Sequence, residues 1–289
     1  MSGQHQAMPH DTCNSTPPNI VVVGTASLDV LHLGEHTVST VGGAGLYTAL
    51  AAAKAGAAVE LCAPRPAPMP PALQPAAERV LWTGPVITPA DLSRLEIAHH
   101  GAGRATLLAA SWGAEPQLTV AFLPEAMQQA AFVHIAALST AQRQLDFVQA
   151  IKTRRGQQSQ PRISVGTYAR LVYGQTASVR ALLAEAELFF MNENEAVGLF
   201  GSIKQAHTRP GTLLFVTLGA QGALVITGDT VTHVPGHVVT EVDPTGAGDT
   251  FCGATLAGLA RRASPIAAVE QAVALAAQTV STIGPAALL

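Results

Sequence analysis

Asp243-Pro244-Thr245-Gly246-Ala247-Gly248-Asp249-Thr250-Phe251 is the stretch whose reading decides the fold. The small residues at 246–248 let the backbone turn tightly and expose successive N–H groups. A long apolar segment follows, so the same groups form a helix N-terminus, where an anion is favoured. A strand-like run, residues 237–242, precedes it. Strand, tight turn and helix in that order belong to an α/β fold. A carboxylate at Asp249, in the first helical turn, repels a bound phosphate unless it has chemistry to perform. The chemistry that fits is acceptance of a proton from a hydroxyl that attacks an arriving phosphoryl group. A bare Gly-x-Gly-Asp has a plainer reading, an acidic helix-start residue after a flexible loop.

Working outward, the same rhythm recurs. Residues 20–23 are β-branched and end at Gly24, as a buried parallel strand would. Gly42 and Gly43 open an Ala-rich helix that runs to Ala55 and stops at Gly56. A strand follows at 59–63. The proline-rich stretch 64–75 reads as a surface loop, because proline is excluded from helix interiors and central strands. Residues 94–99 and 104–110 flank Gly101-Ala102-Gly103 and predict a hairpin. Antiparallel strands inside a βα series imply a small accessory sheet, which the β-like stretch 28–40 could join. The βα rhythm then resumes with strands at 131–136, 163–166, 188–191 and 213–218. Helices are expected at 140–155, 177–186 and from Glu193. A hairpin (223–227 and 231–235) and two closing helices complete the pattern, the first from about Ala247 and the second with Ser264 as N-cap and Pro265 at its first position.

Composition narrows the classes. The 289 residues are 48% hydrophobic and only 12% charged, enough to bury a large core. A net charge of −3 gives no support for nucleic-acid binding. No apolar run reaches the ~18 residues that span a bilayer. Residues 1–19 are polar, contain Pro17 and Pro18, and lack a secretory pattern, so they read as a disordered lead-in. Cys13, Cys62 and Cys252 are odd in number and far apart, which fits a reduced, cytoplasmic setting. There is no G-x-x-x-x-G-K-[ST], no Rossmann G-x-G-x-x-G, no H-E-x-x-H and no G-x-S-x-G.

Residues 243–251 resemble the C-terminal signature of the PfkB/ribokinase family of carbohydrate kinases, D-T-x-G-A-G-D-x-F, with Pro244 replacing the usual second residue. The resemblance covers nearly the whole chain beyond residue 19. It implies a ribokinase-like three-layer α/β fold over residues 20–289. The central sheet would be mostly parallel with helices on both faces, and a small β lid would come from about 28–40 and 92–112. It implies transfer of the γ-phosphoryl group of ATP, with Mg²⁺, to a hydroxyl of a sugar, nucleoside or cyclitol. Asp249 would be the base, and the backbone of Gly246, Ala247 and Gly248 would hold the developing charge.

Other positions match the family residue by residue. Asp29 matches the carboxylate that holds sugar hydroxyls, and Gly42-Gly43 the di-glycine beside the substrate. Tyr47 stands where the family often has Asn; it stacks on a ring or fills the pocket. Arg104 follows the lid turn, where relatives carry a basic residue toward the substrate. Asn192 and Glu195 match N-x-x-E, which organises Mg²⁺ and phosphates largely through water; the same residues would also cap a helix. Thr217, Gly219 and Gly222 match the turn that borders the nucleotide. Asp243, Thr245 and Gly284 are the places a monovalent cation such as K⁺ would use. The resemblance permits a homodimer through the lids and gives no membrane or nucleic-acid partner. A non-catalytic small-molecule binder that retained the fold is the alternative.

Overall fold

The computed structural model describes residues 20–101 and 105–289. The N-terminal segment 1–19, with Cys13, and the lid residue Arg104 lie outside the described residues.

The layering starts in β1 (Ile20–Val23), where all four residues are buried. Ile20 and Val22 pack into one apolar cluster, and Val21 and Val23 into a second on the other face. That is the period-2 alternation of a strand covered on both sides. The chain continues through β2 (Ser27–Leu33), β3 (His36–Gly42), α1 (Ala44–Lys54) and β4 (Val59–Cys62). It then forms β5 (Arg65–Pro66), α2 (Gln74–Ala77), β6 (Leu81–Thr83), β7 (Val86–Ile87), β8 (Arg94–His99) and β9 (Ala105–Ser111). The second half runs β10 (Phe132–Ile135), α3 (Ala141–Arg155), β11 (Arg162–Gly166), α4 (Ala169–Gly174), α5 (Thr176–Glu185) and β12 (Leu188–Asn192). It closes with α6 (Glu193–Phe200), β13 (Leu213–Thr217), β14 (Ala223–Thr227), β15 (Thr230–Val234), α7 (Ala247–Ala260) and α8 (Pro265–Val280).

The large sheet has the order β15-β14-β13-β12-β11-β10-β1-β4-β6. Its strands from β6 to β13 pair in parallel, and β14 and β15 add an antiparallel edge. Helices α1, α7 and α8 bury Leu50, Leu256 and Val269 on one face, while α3, α4 and α5 bury Phe147, Leu171 and Leu182 on the other. This is the expected three-layer arrangement. Helix starts follow local chemistry: the side chains of Thr140, Asn192 and Ser264 accept the N3 amides of α3, α6 and α8. Each such cap stabilises by about 1 kcal/mol.

A second sheet, β3-β2-β8-β9, brings together the two segments expected to form a lid. Its β2–β3 and β8–β9 pairs are antiparallel and the central β2–β8 pair is parallel. The two halves expected from sequence therefore do join. Two expectations need correction. Residues 237–242 form no strand: Val238 is fully exposed, and the segment is held instead by Val242 and Asp243 amides on the Val280 carbonyl. The β-branched residues there had no neighbouring strand to pair with. The proline-rich stretch is also not simply loop, because β5 pairs with β7 in a two-stranded sheet and α2 buries Ala76. Prolines fit there because Pro66 sits on a sheet with only two strands and Pro75 in the first turn of α2. Among the described residues, no helix is long and apolar enough to cross a membrane.

Candidate active site

A cavity of about 350 Å³ lies at the C-terminal ends of the parallel strands, under the lid. This is where open α/β sheets bind ligands. It runs from Thr25, after β1, across His134 and Gly166 to Asn192 and Thr217 at the ends of β12 and β13. At ~4.8 Å per strand, β1 to β13 spans roughly 19 Å, room for two ligands end to end.

The lid end is built around Asp29. Alternation along β2 turns Ser27, Asp29 and Leu31 to the buried side. The Leu95 amide of β8 donates to Asp29 Oδ1 at 3.1 Å, so both halves of the lid fix this carboxylate. Asp29 Oδ2 and Ser27 Oγ are buried without a partner. Burial pushes the Asp29 pKa up to about 6. Gly42 leaves room for this group: a Cβ there would lie 1.9 Å from Asp29 Oδ2. Its neighbour Gly43 lines the cavity at φ 100°, the non-helical turn into α1. Gly42 thus serves the carboxylate directly, a closer role than the substrate approach expected of it.

The anion loop faces this end from α7. Gly246 precedes the helix at φ 73°, Ala247 is its first residue, and no side chain caps it. The Ala247 amide donates to the Pro244 carbonyl at 3.3 Å, which leaves the first-turn amides of Gly248 and Asp249 to face an anion. Gly246, Gly248 and Asp249 line the cavity. Burial first, and then the Glu195 carboxylate, push the Asp249 pKa up to about 7. The sequence alone suggests an ordinary carboxyl of low pKa; desolvation moves this one toward neutrality.

Tyr47 packs under this loop. A Cβ on Gly246 would lie 2.4 Å from the Tyr47 ring, so the ring fills space that only glycine leaves open. Its hydroxyl is buried and unpartnered. Burial first, and then Asp243, Asp29 and Asp249, raise its pKa. Of the two sequence readings of Tyr47, filling the pocket is the one the packing supports. Beneath it, Phe190 stacks on Phe215 at 4.7 Å and Phe251 meets both edge-on, a rigid floor for the start of α7.

Behind the loop, Asp243 is 1% exposed. Its Oδ1 accepts the Thr245 amide at 2.9 Å and its Oδ2 the Gly284 amide at 2.8 Å. The lid contributes His99, whose Nε2 lies 2.9 Å from Thr245 Oγ1 and 3.6 Å from Asp243 Oδ1. The three positions expected to surround a monovalent cation do meet. Hydrogen bonds already satisfy the carboxylate that joins them, so these contacts do not call for a cation.

At the other end, Asn192 and Glu195 form a reciprocal capping box. The Glu195 amide donates to Asn192 Oδ1 at 2.9 Å, the Asn192 amide to Glu195 Oε2 at 2.9 Å, and Asn192 Nδ2 to Glu195 Oε1 at 2.7 Å. Both also line the cavity, so the capping box faces its space. Burial pushes Glu195 up to about 7. Two desolvated carboxyls that raise one another's cost of ionisation suit a nearby divalent cation, and oxygen donors suit Mg²⁺. Thr217 lines the cavity. Gly219 and Gly222 lie in the β13–β14 turn, outside the cavity lining.

Sequence reasoning missed Ser27, Trp112, His134, Tyr168 and Cys252, which also line the cavity. His134 donates to or accepts from Ser164 Oγ at 2.9 Å, and burial holds its pKa down at about 3. Rarity was the available signal for the aromatics. The chain has two Trp and three Tyr, and Tyr47, Trp112 and Tyr168 are three of those five.

Comparison with known proteins agrees with this fold. The chain is 28% identical over 256 residues to a cytidine kinase of Thermococcus kodakarensis, covering 84% of this chain and 89% of that protein. An adenosine kinase structure from Sinorhizobium meliloti superposes with a TM-score of 0.76 at 16% identity, over 93% of this chain and 96% of that one. A ribokinase from Cryptococcus neoformans in complex with ADP gives 0.73 at 21% identity, over 93% and 95%. The pattern of the pfkB family carbohydrate kinases matches residues 15–289, so the chain belongs to that family.

Proposed function

We propose that this protein transfers the γ-phosphoryl group of ATP to a hydroxyl of a small, uncharged, polyhydroxylated acceptor, with Asp249 as general base. The observation that carries it is the placement of Asp249. It stands in the first turn of an uncapped helix and opens into the same cavity as the unpartnered Asp29 Oδ2. A kinase needs that pairing: an anion site with a base beside it, and a carboxylate across from it to hold hydroxyls.

In this reading Asp29 and Ser27 accept from or donate to neighbouring acceptor hydroxyls and aim a third toward the loop. Its oxygen forms a bond to the γ-phosphorus, the bond to the β,γ-bridging oxygen breaks, and ADP leaves with the electron pair. The proton passes to Asp249. The amides of Gly248 and Asp249 at the head of α7 stabilise the charge that develops on the transferred group. Asn192 and Glu195 would hold Mg²⁺ through water beside the phosphates, where it supplies charge neutralisation. The lid excludes water, which would otherwise compete as acceptor. Among the described residues, the cavity lining includes no Lys or Arg. Among those residues an acceptor's phosphate or carboxylate would find no counter-charge; Arg104, which the family resemblance places toward the substrate, is not one of them.

The test is ADP release in an ATP- and acceptor-dependent assay, with the phosphorylated product identified by mass spectrometry. Tight acceptor binding without any product would instead support the non-catalytic binder.

A further inference from the structure

The acceptor end of the cavity has two unlike halves. One is the Ser27–Asp29 pair. The other is aromatic: Trp112 and Tyr168 face one another with ring centroids 6.3 Å apart and planes tilted by 59°. Their place in the fold fixes which ligand they serve. The Trp112 carbonyl accepts Ser93 Oγ at 2.9 Å, and Ser93 pairs with Ser27. Trp112 is thus tied to the acceptor side of the lid. Tyr168 follows β11, two strands from β1 in the sheet. Two strand spacings are about 10 Å, room for two joined rings and more than one sugar ring needs. Leu95 and Leu107 of the lid also line this end.

We propose that the acceptor is an uncharged nucleoside, its ribose held at Ser27 and Asp29 and its base against the Trp112–Tyr168 pair. The proposal rests on the kinase reading above and names the substrate class for the same site. Four unpartnered buried atoms fit both parts of such a molecule. Ser27 Oγ and Asp29 Oδ2 match adjacent ribose hydroxyls, whereas Thr167 Oγ1 and the Tyr168 hydroxyl match the polar edge of a base. Aromatic side chains stack on any base, because every base offers a π-face. A single hexose or a cyclitol would satisfy the first pair and leave the second pair unpartnered and the two rings without a stacked ligand. The transfer is the one written above, with a ribose hydroxyl as the attacking group.

The experiment uses the full chain with ATP and Mg²⁺. Cytidine, uridine, adenosine and inosine are compared with ribose, fructose and myo-inositol, reading both ADP and the phosphorylated product. The expected result is that at least one nucleoside exceeds every free sugar in kcat/KM by about 100-fold, the gain that stacking supplies at the upper end of its range. Preference for a free sugar or cyclitol would overturn the proposal while leaving the kinase reading intact. Absence of any product would sink the kinase reading. In that case a thermal shift with nucleosides and none with sugars still supports the pocket assignment, and no nucleoside shift overturns it. Trp112→Ala is expected to raise the nucleoside KM by about 5- to 150-fold with the ATP KM unchanged. Trp112→Phe should recover most of that loss, which separates stacking from failure to fold. An unchanged nucleoside KM in Trp112→Ala would also overturn the proposal.

Discussion

The anion loop and the acceptor wall face each other across one cavity but are assembled in different ways. The loop comes from one contiguous stretch, 243–251, braced within by Asp243 on Thr245 and from outside by Gly284, His99 and the Tyr47 ring. The wall draws on β2, the end of the lid hairpin, the segment after β11 and the start of α1. In the proposed kinase the base and the helix N-terminus beside it therefore come from one stretch, whereas the acceptor contacts are spread over residues that only the tertiary fold brings together.

Substitutions on the two sides should separate accordingly. Asp29→Asn removes a charged partner for two hydroxyls and is expected to lower kcat/KM for the acceptor by about 100-fold or more. The ATP KM should stay unchanged; an equal change in both would erase the division of labour. Gly246→Ala acts on the other side. The added Cβ would press into the Tyr47 ring from a backbone at φ 73°. Displaced amides should cost about 100-fold in kcat, with the acceptor KM little altered. A normal kcat in that variant would show that the loop does not hold the reacting group.

The pH response sharpens the contrast between activity and stability. Asp249 at about 7 and Asp29 at about 6 must both be ionised to work. From pH 6 to 7, kcat/KM should rise by about tenfold per unit, more steeply below 6, and level off above 7. Stability of the ligand-free protein should move the opposite way. Both carboxyls hold their protons more tightly when folded than unfolded, where an Asp titrates near 3.8. The folded state then binds more protons between about pH 4 and 7, so stability is greatest at the acid end of that window and is lost as pH rises through it. Thermal unfolding across the window checks the sign, and Asp249→Asn should flatten the slope.

The smallest effect is expected at Tyr47. Its hydroxyl is buried without a partner, so Tyr47→Phe should change stability by no more than about 1 kcal/mol, toward higher stability. A large loss of acceptor use in this variant would move Tyr47 from the loop's packing to the acceptor wall.

Legibility in the sequence follows the same division. Strand and helix order was readable because each element carries its own period, and the 94–110 hairpin announced itself by its glycines. Residues 237–242 misled because β-branched composition shows what could pair, not whether a partner strand is there. Asp249 and the Asn192–Glu195 pair were readable because each sits at a helix start with a local signature, and Asp29 because it lies in a short stretch, 24–29, that matches the family pattern. Trp112 and Tyr168 were not, since 56 residues separate them and nothing in either neighbourhood points to the other. Nor could the sequence show that Asp249 titrates near neutrality, which depends on how deeply the fold desolvates it.

The central claim is that Asp249 takes the acceptor's proton during phosphoryl transfer. Its most direct test is a single-turnover measurement of γ-phosphoryl transfer from ATP by the wild type and by Asp249→Asn, with ATP binding measured in parallel. The account predicts intact ATP binding and a transfer rate reduced by about 10²- to 10⁴-fold. An unchanged transfer rate in Asp249→Asn would contradict it.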